Sequence, residues 1–222
     1  MRLFLLGLPG AGKGTQAKTL AERHRLLHIS SGDMFRDAAA EGTEFGAQAQ
    51  AYMSRGELVP DEVTIAMLLE RIDRPDAKAG FILDGFPRTI AQAEALDRAL
   101  AGRGGAIDAV LYIQVPEQEL IIRLSGRWSC PGCGAIYHER YSPPRRERVC
   151  DQCGGALTQR EDDRAETIGR RLRENRERTD QLADHYARAD TLHAIDGTGE
   201  PADVAARLQQ ALEDVFAAAR KA

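Results

Sequence analysis

A chain of 222 residues, 43% of them hydrophobic, is long enough for one large domain or for a core carrying insertions. Thirty basic against 34 acidic residues leave a net charge of −4, which argues against bulk attraction to nucleic acid or to an anionic membrane. No apolar run approaches the roughly 18 residues of a membrane span, and the start "MRLFLLGLPGAGKGT" runs into glycines and a lysine where a leader would carry its cleavage site; a cytoplasmic protein is expected.

In chain order, residues 2–6 (RLFLL) read as a short buried strand that ends in glycines. "TQAKTLAERH" (15–24) reads as a helix and "LLHIS" (26–30) as a second strand, with Ser31 or Asp33 placed to cap the helix after it. "GFILDGFP" (80–87) is a strand stopped by a turn. "AVLYIQV" (109–115) is the next, closed by Pro116 and followed by the helical "EQELIIRLSGR". A long charged helix, "RAETIGRRLRENRERTDQLADHYAR", precedes a last strand at 192–197 and a C-terminal helix after Pro201. Strands alternating with helices predict a three-layer α/β fold with a parallel central sheet. Residues 126–163 break that alternation and read as an insertion.

Gly7 to Thr15, "GLPGAGKGT", set a glycine-rich loop between a strand and a helix. In that context the G-x-x-x-x-G-K pattern predicts a phosphate cradle: backbone N–H groups turn into one concavity, the helix N-terminus adds positive potential, and Lys13 reaches the outer phosphates. The general pattern places Ser or Thr after the lysine. Here Gly14 stands there and Thr15 follows.

All four cysteines lie in the insertion: Cys130, Cys133, Cys150 and Cys153. Two C-x₂-C pairs separated by 16 residues match a zinc pattern, in which four thiolates fill a tetrahedron and leave no open position for water. Disulfides suit a secreted chain, a redox motif needs only one pair, and iron accepts the same four sulfurs. "RYSPPRRERV" keeps a nucleic-acid-binding ribbon as a rival. Glu139, Glu147, Asp151, Glu161, Asp162 and Asp163 offset its charge, and Arg127 and Arg160 bracket the segment.

"GLPGAGKGTQA", "SSGDMFR", "GELVPDE", "LDGFPRT" and "YHERYSPP", in this order over nearly the whole chain, resemble the adenylate kinase family, and the cysteine insertion resembles its long-lid bacterial form with structural Zn²⁺. The resemblance implies a P-loop nucleoside-monophosphate kinase fold with a core at 1–29, 60–125 and 164–222. It also implies an AMP-binding insertion at 30–59 and a zinc-clipped lid at 126–163. The activity implied is Mg²⁺-dependent ATP + AMP ⇌ 2 ADP in a monomer that takes small-molecule substrates, with no nucleic-acid or membrane partner.

By resemblance, Gly10, Ala11, Gly12, Lys13, Gly14 and Thr15 bind ATP phosphates, while Lys13, Arg127, Arg160 and Arg171 gather around the transferred group. Arg36 and Arg88 hold the AMP phosphate, with Gly85, Phe86 and Pro87 beside them and Arg160 and Arg171 adjoining. Arg123 and His138 sandwich the ATP adenine, completed by the backbone near Ile136, Tyr137 and Gly199. Ser31, Glu57, Leu58, Val59 and Gln92 form the AMP adenine slot. Asp84, at the end of "FILD", is placed to orient hydrated Mg²⁺ at a carboxyl-end crevice. Arg145, Arg146, Arg148, Arg176 and Arg178 are read as solvated surface. Asp162 and Asp163 are left between contacting nucleotide and capping the long helix. A kinase for UMP or CMP and an ATP-dependent nucleic-acid-binding protein with a zinc ribbon are the alternatives.

Overall fold

The structure, a computed structural model, describes residues 1–219. Five parallel strands form the central sheet: β1 (Arg2–Leu6), β2 (Leu27–Ser30), β3 (Phe81–Asp84), β4 (Ala109–Gln114) and β7 (Leu192–Asp196), in the order β2-β3-β1-β4-β7. Two further strands, β5 (Arg127–Ser129) and β6 (Ile136–His138), pair antiparallel outside it. The helices are α1 (Lys13–His24), α2 (Ser31–Ala40), α3 (Glu44–Ser54), α4 (Asp61–Asp73), α5 (Ile90–Ala101), α6 (Glu117–Ser125), α7 (Ala165–Arg188) and α8 (Pro201–Ala219). The last three residues of the expected core segment, 220–222, lie outside the described residues.

Strand alternation builds three layers. In β1, Leu3 and Leu5 enter one apolar cluster with Ala17 and Leu20 of α1 and Leu208 and Leu212 of α8. Phe4 and Leu6 enter the opposite cluster with Leu68 of α4, Leu96 of α5 and Leu182 of α7. A strand buried on both faces has no polar face, which is why RLFLL reads as an unbroken apolar run. The chain leaves β1 toward β2 on one side, then crosses back to β4 on the other. The crevice at the carboxyl ends of β1 and β3 is therefore the place where an α/β sheet presents its ligand site.

The starts of α1 and α2 differ from the sequence reading. α1 begins at Lys13 rather than 15, because the left-handed Gly12 (φ 92°) releases the chain directly into the helix. Ser30, not Ser31 or Asp33, caps α2: its hydroxyl accepts the Asp33 N–H, and Ser31 is already helical. The sequence reading delimits no helix at α3, α4 or α5; Thr43 and Thr89 cap the first and last by accepting from Gly46 N–H and Gln92 N–H.

Candidate active site

The P-loop joins β1 to α1. Gly10 (φ 86°) and Gly12 (φ 92°) are left-handed, and a Cβ at Gly10 would come within 3.0 Å of the Leu120 carbonyl oxygen. Only glycine follows that path without strain. Lys13 Nζ donates to the carbonyls of Gly7 (2.7 Å) and Leu8 (3.0 Å), so the ammonium spans the mouth of the loop. Gly14 now has a physical reason. A Cβ there would sit 3.3 Å from Asp84 Oδ2, so the carboxylate at the end of β3 occupies the space beside it.

One cleft of about 640 Å³ runs from this loop between α2, α6, α7 and the β5–β6 hairpin. Every residue expected to touch nucleotide lines it, with one exception: Phe86 is fully buried in the apolar layer beneath α5. Its neighbours Gly85, Pro87 and Arg88 do face the cleft, since Gly85 (φ 77°) turns the chain between them. Ser31 Oγ donates to the Gly85 carbonyl at 2.8 Å. The Gln92 amide accepts from Arg88 N–H (2.7 Å) and donates to Asp61 Oδ1 (2.7 Å). One hydrogen-bonding position at each end of that amide is thus committed to the protein, and one remains for a ligand.

Lys13, Arg36, Arg88, Arg127, Arg160 and Arg171 all reach this cleft from different segments. Asp33, Asp84, Asp162 and Asp163 oppose them, which leaves two positive charges in excess among these ten side chains. Burial pulls the Lys13 ammonium down to about 8, with Asp84 resisting and Arg88, Arg171 and Arg127 adding to the fall. Burial and neighbouring arginines likewise bring Arg88 and Arg160 each to about 10. Arg127 goes the other way: burial opposes its charge, but the adjacent Asp163 outweighs it. Asp84 stays below the usual carboxylate range despite burial, held there by His28 and Lys13. A site so poised gains most from an anion.

Asp162 and Asp163 are pairing residues rather than caps of α7, whose N-cap Arg164 has no side-chain cap bond. Asp163, fully buried, accepts from Arg127 Nε (2.7 Å) and Nη2 (2.6 Å) and from Arg171 Nη1 (2.8 Å). Asp162 Oδ2 lies 2.9 Å from Arg171 Nη2. On the far wall, Arg123 donates to Glu119 (3.0 Å) and the Gly197 carbonyl (3.1 Å). His138 Nδ1 accepts N–H from Arg140 (3.0 Å) and Tyr141 (3.1 Å), so Nε2 carries the proton donated to the Ile122 carbonyl (3.2 Å).

Several cleft residues lie outside the sequence reading of the site, His28 and Arg178 among them. His28 Nε2 stands 3.7 Å from Asp84 Oδ2; the period-2 pattern of LHIS, with Leu27 and Ile29 in the apolar layer, was the available signal. Arg178, read as solvated, lines the cleft with a buried Nη1, seven residues after Arg171 and so on the same face of α7. Arg145, Arg146 and Arg148 are exposed, and Arg176 pairs with Glu117 on the surface.

The four cysteine sulfurs lie within 4.8 Å of one another, with Cys130–Cys153 at 3.4 Å and Cys133–Cys150 at 3.5 Å. Disulfide sulfurs would be about 2.05 Å apart. A tetrahedron with 2.3 Å metal–sulfur bonds has edges of about 3.8 Å, so the set fits a single ion. Each pair forms the same turn: Gly134 N–H bonds the Cys130 carbonyl and Gly154 N–H the Cys150 carbonyl, both at 2.9 Å.

Comparison with known proteins matches residues 5–191 to the family model described as Adenylate kinase. An adenylate kinase of Archaeoglobus fulgidus is 49% identical over 215 residues, covering 97% of this chain and 99% of that protein. One from Carboxydothermus hydrogenoformans is 52% identical over 213 residues, covering 96% and 100%. One from Staphylococcus aureus is 52% identical over 204 residues, covering 92% and 95%. A strand–loop–helix phosphate cradle, a cleft with surplus cationic charge and this similarity along nearly the full length converge: the chain belongs to the adenylate kinase family.

Proposed function

We propose that the chain interconverts ATP + AMP and 2 ADP by direct in-line phosphoryl transfer, without a phospho-enzyme. The observation that carries this reading is the convergence of six cationic side chains from separate segments on one cleft with surplus positive charge. Phosphoryl transfer asks a protein chiefly for positioning and for positive charge around the migrating group. An AMP phosphate oxygen bonds to the γ-phosphorus of ATP while the bond to the β-phosphate oxygen breaks.

Lys13, Arg127, Arg160 and Arg171 surround the transferred group; Arg36 and Arg88 orient the AMP phosphate. Arg123 and His138 flank the ATP adenine beside Ile136, Tyr137 and Gly199. Ser31, the Glu57–Leu58–Val59 backbone and the free valences of Gln92 read the AMP adenine. Mg²⁺ bound to nucleotide would supply further charge neutralisation, with Asp84 and Thr15 close to it. The core at 1–29, 60–125 and 164–222 carries an AMP-binding segment at 30–59 and a lid at 126–163, whose closure excludes water. Zn²⁺ held by Cys130, Cys133, Cys150 and Cys153 stiffens that lid. The protein acts as a monomer in the cytoplasm and takes no nucleic-acid or membrane partner; among the described residues, no helix is long and apolar enough to cross a membrane.

The test is a coupled assay for ADP formed from ATP with AMP, CMP or UMP as acceptor. AMP is expected to be strongly preferred. Lys13→Ala and Arg88→Ala are expected to lose at least 100-fold in turnover while keeping the native circular dichroism spectrum, in line with the loss of a preorganised charge at a transition state. Near wild-type turnover in either variant would overturn the assignment of roles.

A further inference from the structure

The two cysteine turns are matched bond for bond. Cys130 N–H donates to the Ala135 carbonyl at 2.9 Å, and Cys150 N–H to the Gly155 carbonyl at 2.8 Å. Only the second turn receives a phenol. Tyr137, on β6 opposite Trp128, is 8% exposed, and its hydroxyl oxygen accepts the Asp151 N–H at 2.8 Å. With that lone pair engaged, the phenolic hydrogen is free for Cys150 Sγ, 3.6 Å away and inside the small lid core of Cys130, Ala135, Cys150 and Leu157. The same β6 backbone presents Ile136 and His138 to the cleft.

We propose that Tyr137 is a positioning residue that ties the Cys150 thiolate to the strand lining the ATP side of the cleft. This rests on the reading of the four cysteines as a zinc site. A hydroxyl donating to a ligating sulfur stabilises its thiolate and fixes its direction, as outer-shell donors do at metal sites. Because the donor's own backbone forms the nucleotide wall, this side chain couples Cys150 to the adenine side, as the short Cys133–Ile136 backbone couples the first turn.

The experiment compares wild type, Tyr137→Phe and Tyr186→Phe as zinc-loaded enzymes. Tyr186 is a control whose buried hydroxyl has no hydrogen-bond partner among the described residues. Competition with a chromophoric chelator is expected to show 10- to 100-fold weaker zinc binding for Tyr137→Phe, the usual range for an outer-shell loss. No change is expected for Tyr186→Phe. The KM for ATP should rise more than the KM for AMP, and the loss in melting temperature should be larger in zinc-loaded than in metal-stripped protein. Zinc binding by Tyr137→Phe within threefold of wild type overturns the proposal. So does an equal melting loss with and without metal, which marks ordinary packing. If wild type takes up no zinc, the metal reading falls and takes this one with it; if wild type binds and the variant binds equally, only the role of Tyr137 falls.

Discussion

Replacing Asp163 by alanine removes the acceptor that two arginines share. Arg127 loses both of its bonds to that carboxylate, and Arg171 loses one while keeping Asp162. Removing one partner from a buried ion pair costs about 3–5 kcal/mol, because the orphaned charge stays desolvated. Here the arginines border the cleft, at 16% and 13% side-chain exposure, so water reaches them and the low end, about 3 kcal/mol, applies. For a chain of this size that corresponds to a fall in Tm of about 6–12 °C, readable by calorimetry. Saturating ATP with AMP should raise the Tm of Asp163→Ala by more than it raises that of wild type, since phosphate supplies the missing counter-charge. Asp163→Asn, which keeps the shape but not the charge, should fall between the two. A loss below about 2 °C, roughly 0.5–1 kcal/mol on the same scale, would refute the view that Asp163 is the electrostatic anchor of this wall.

Three further outcomes follow, two from Lys13 and one from the cysteine set. Burial holds Lys13 at about 8, so on the proposed role, in which its protonated form binds phosphate, kcat/KM for ATP should decline as pH rises through about 8, and Lys13→Arg should move or abolish that limb. The same depression disfavours the charged lysine in the fold, so its share of folding stability improves as pH rises from about 8 toward the unfolded value of 10.5. Stripping metal with a chelator should lower Tm by more than it lowers the initial rate measured at low temperature, because the lid core holds only five buried residues and Trp128. Immediate, complete loss of activity in protein that remains folded would contradict a purely structural metal.

The three central strands were legible because a parallel strand buried on both faces has no polar face: RLFLL, FILD and AVLYIQ announce themselves as apolar runs bounded by glycine, aspartate or proline. The sequence reading delimits neither α3 nor α4, since an 11- or 13-residue amphipathic stretch within a charged background shows only weak periodicity. The P-loop and the cysteine quartet carry their chemistry in fixed spacings and were readable from sequence alone. The ion pairs were not. That Asp163 serves Arg127, 36 residues away, and Arg171, eight residues on, depends on how the insertion folds back on itself. Phe86 shows the converse: a residue inside a motif resembling a ligand site can be there to anchor it, with its ring in the apolar layer while Arg88 faces the cleft.

The Arg127–Asp163 pair has a meaning beyond its charge. It pins together the two points where the chain leaves the central fold and returns to it, and the Ser129–Thr158 bridge continues that seam outward. Whatever lies between those points is, to the rest of the molecule, a loop with its ends already closed. Such a segment can be lengthened, trimmed or exchanged for another of similar span while the loop-closure entropy changes only slowly with its length. A two-residue clasp thereby leaves the cysteine-bearing turns free to vary in how they are stiffened, so long as the β5–β6 residues that line the cleft are kept.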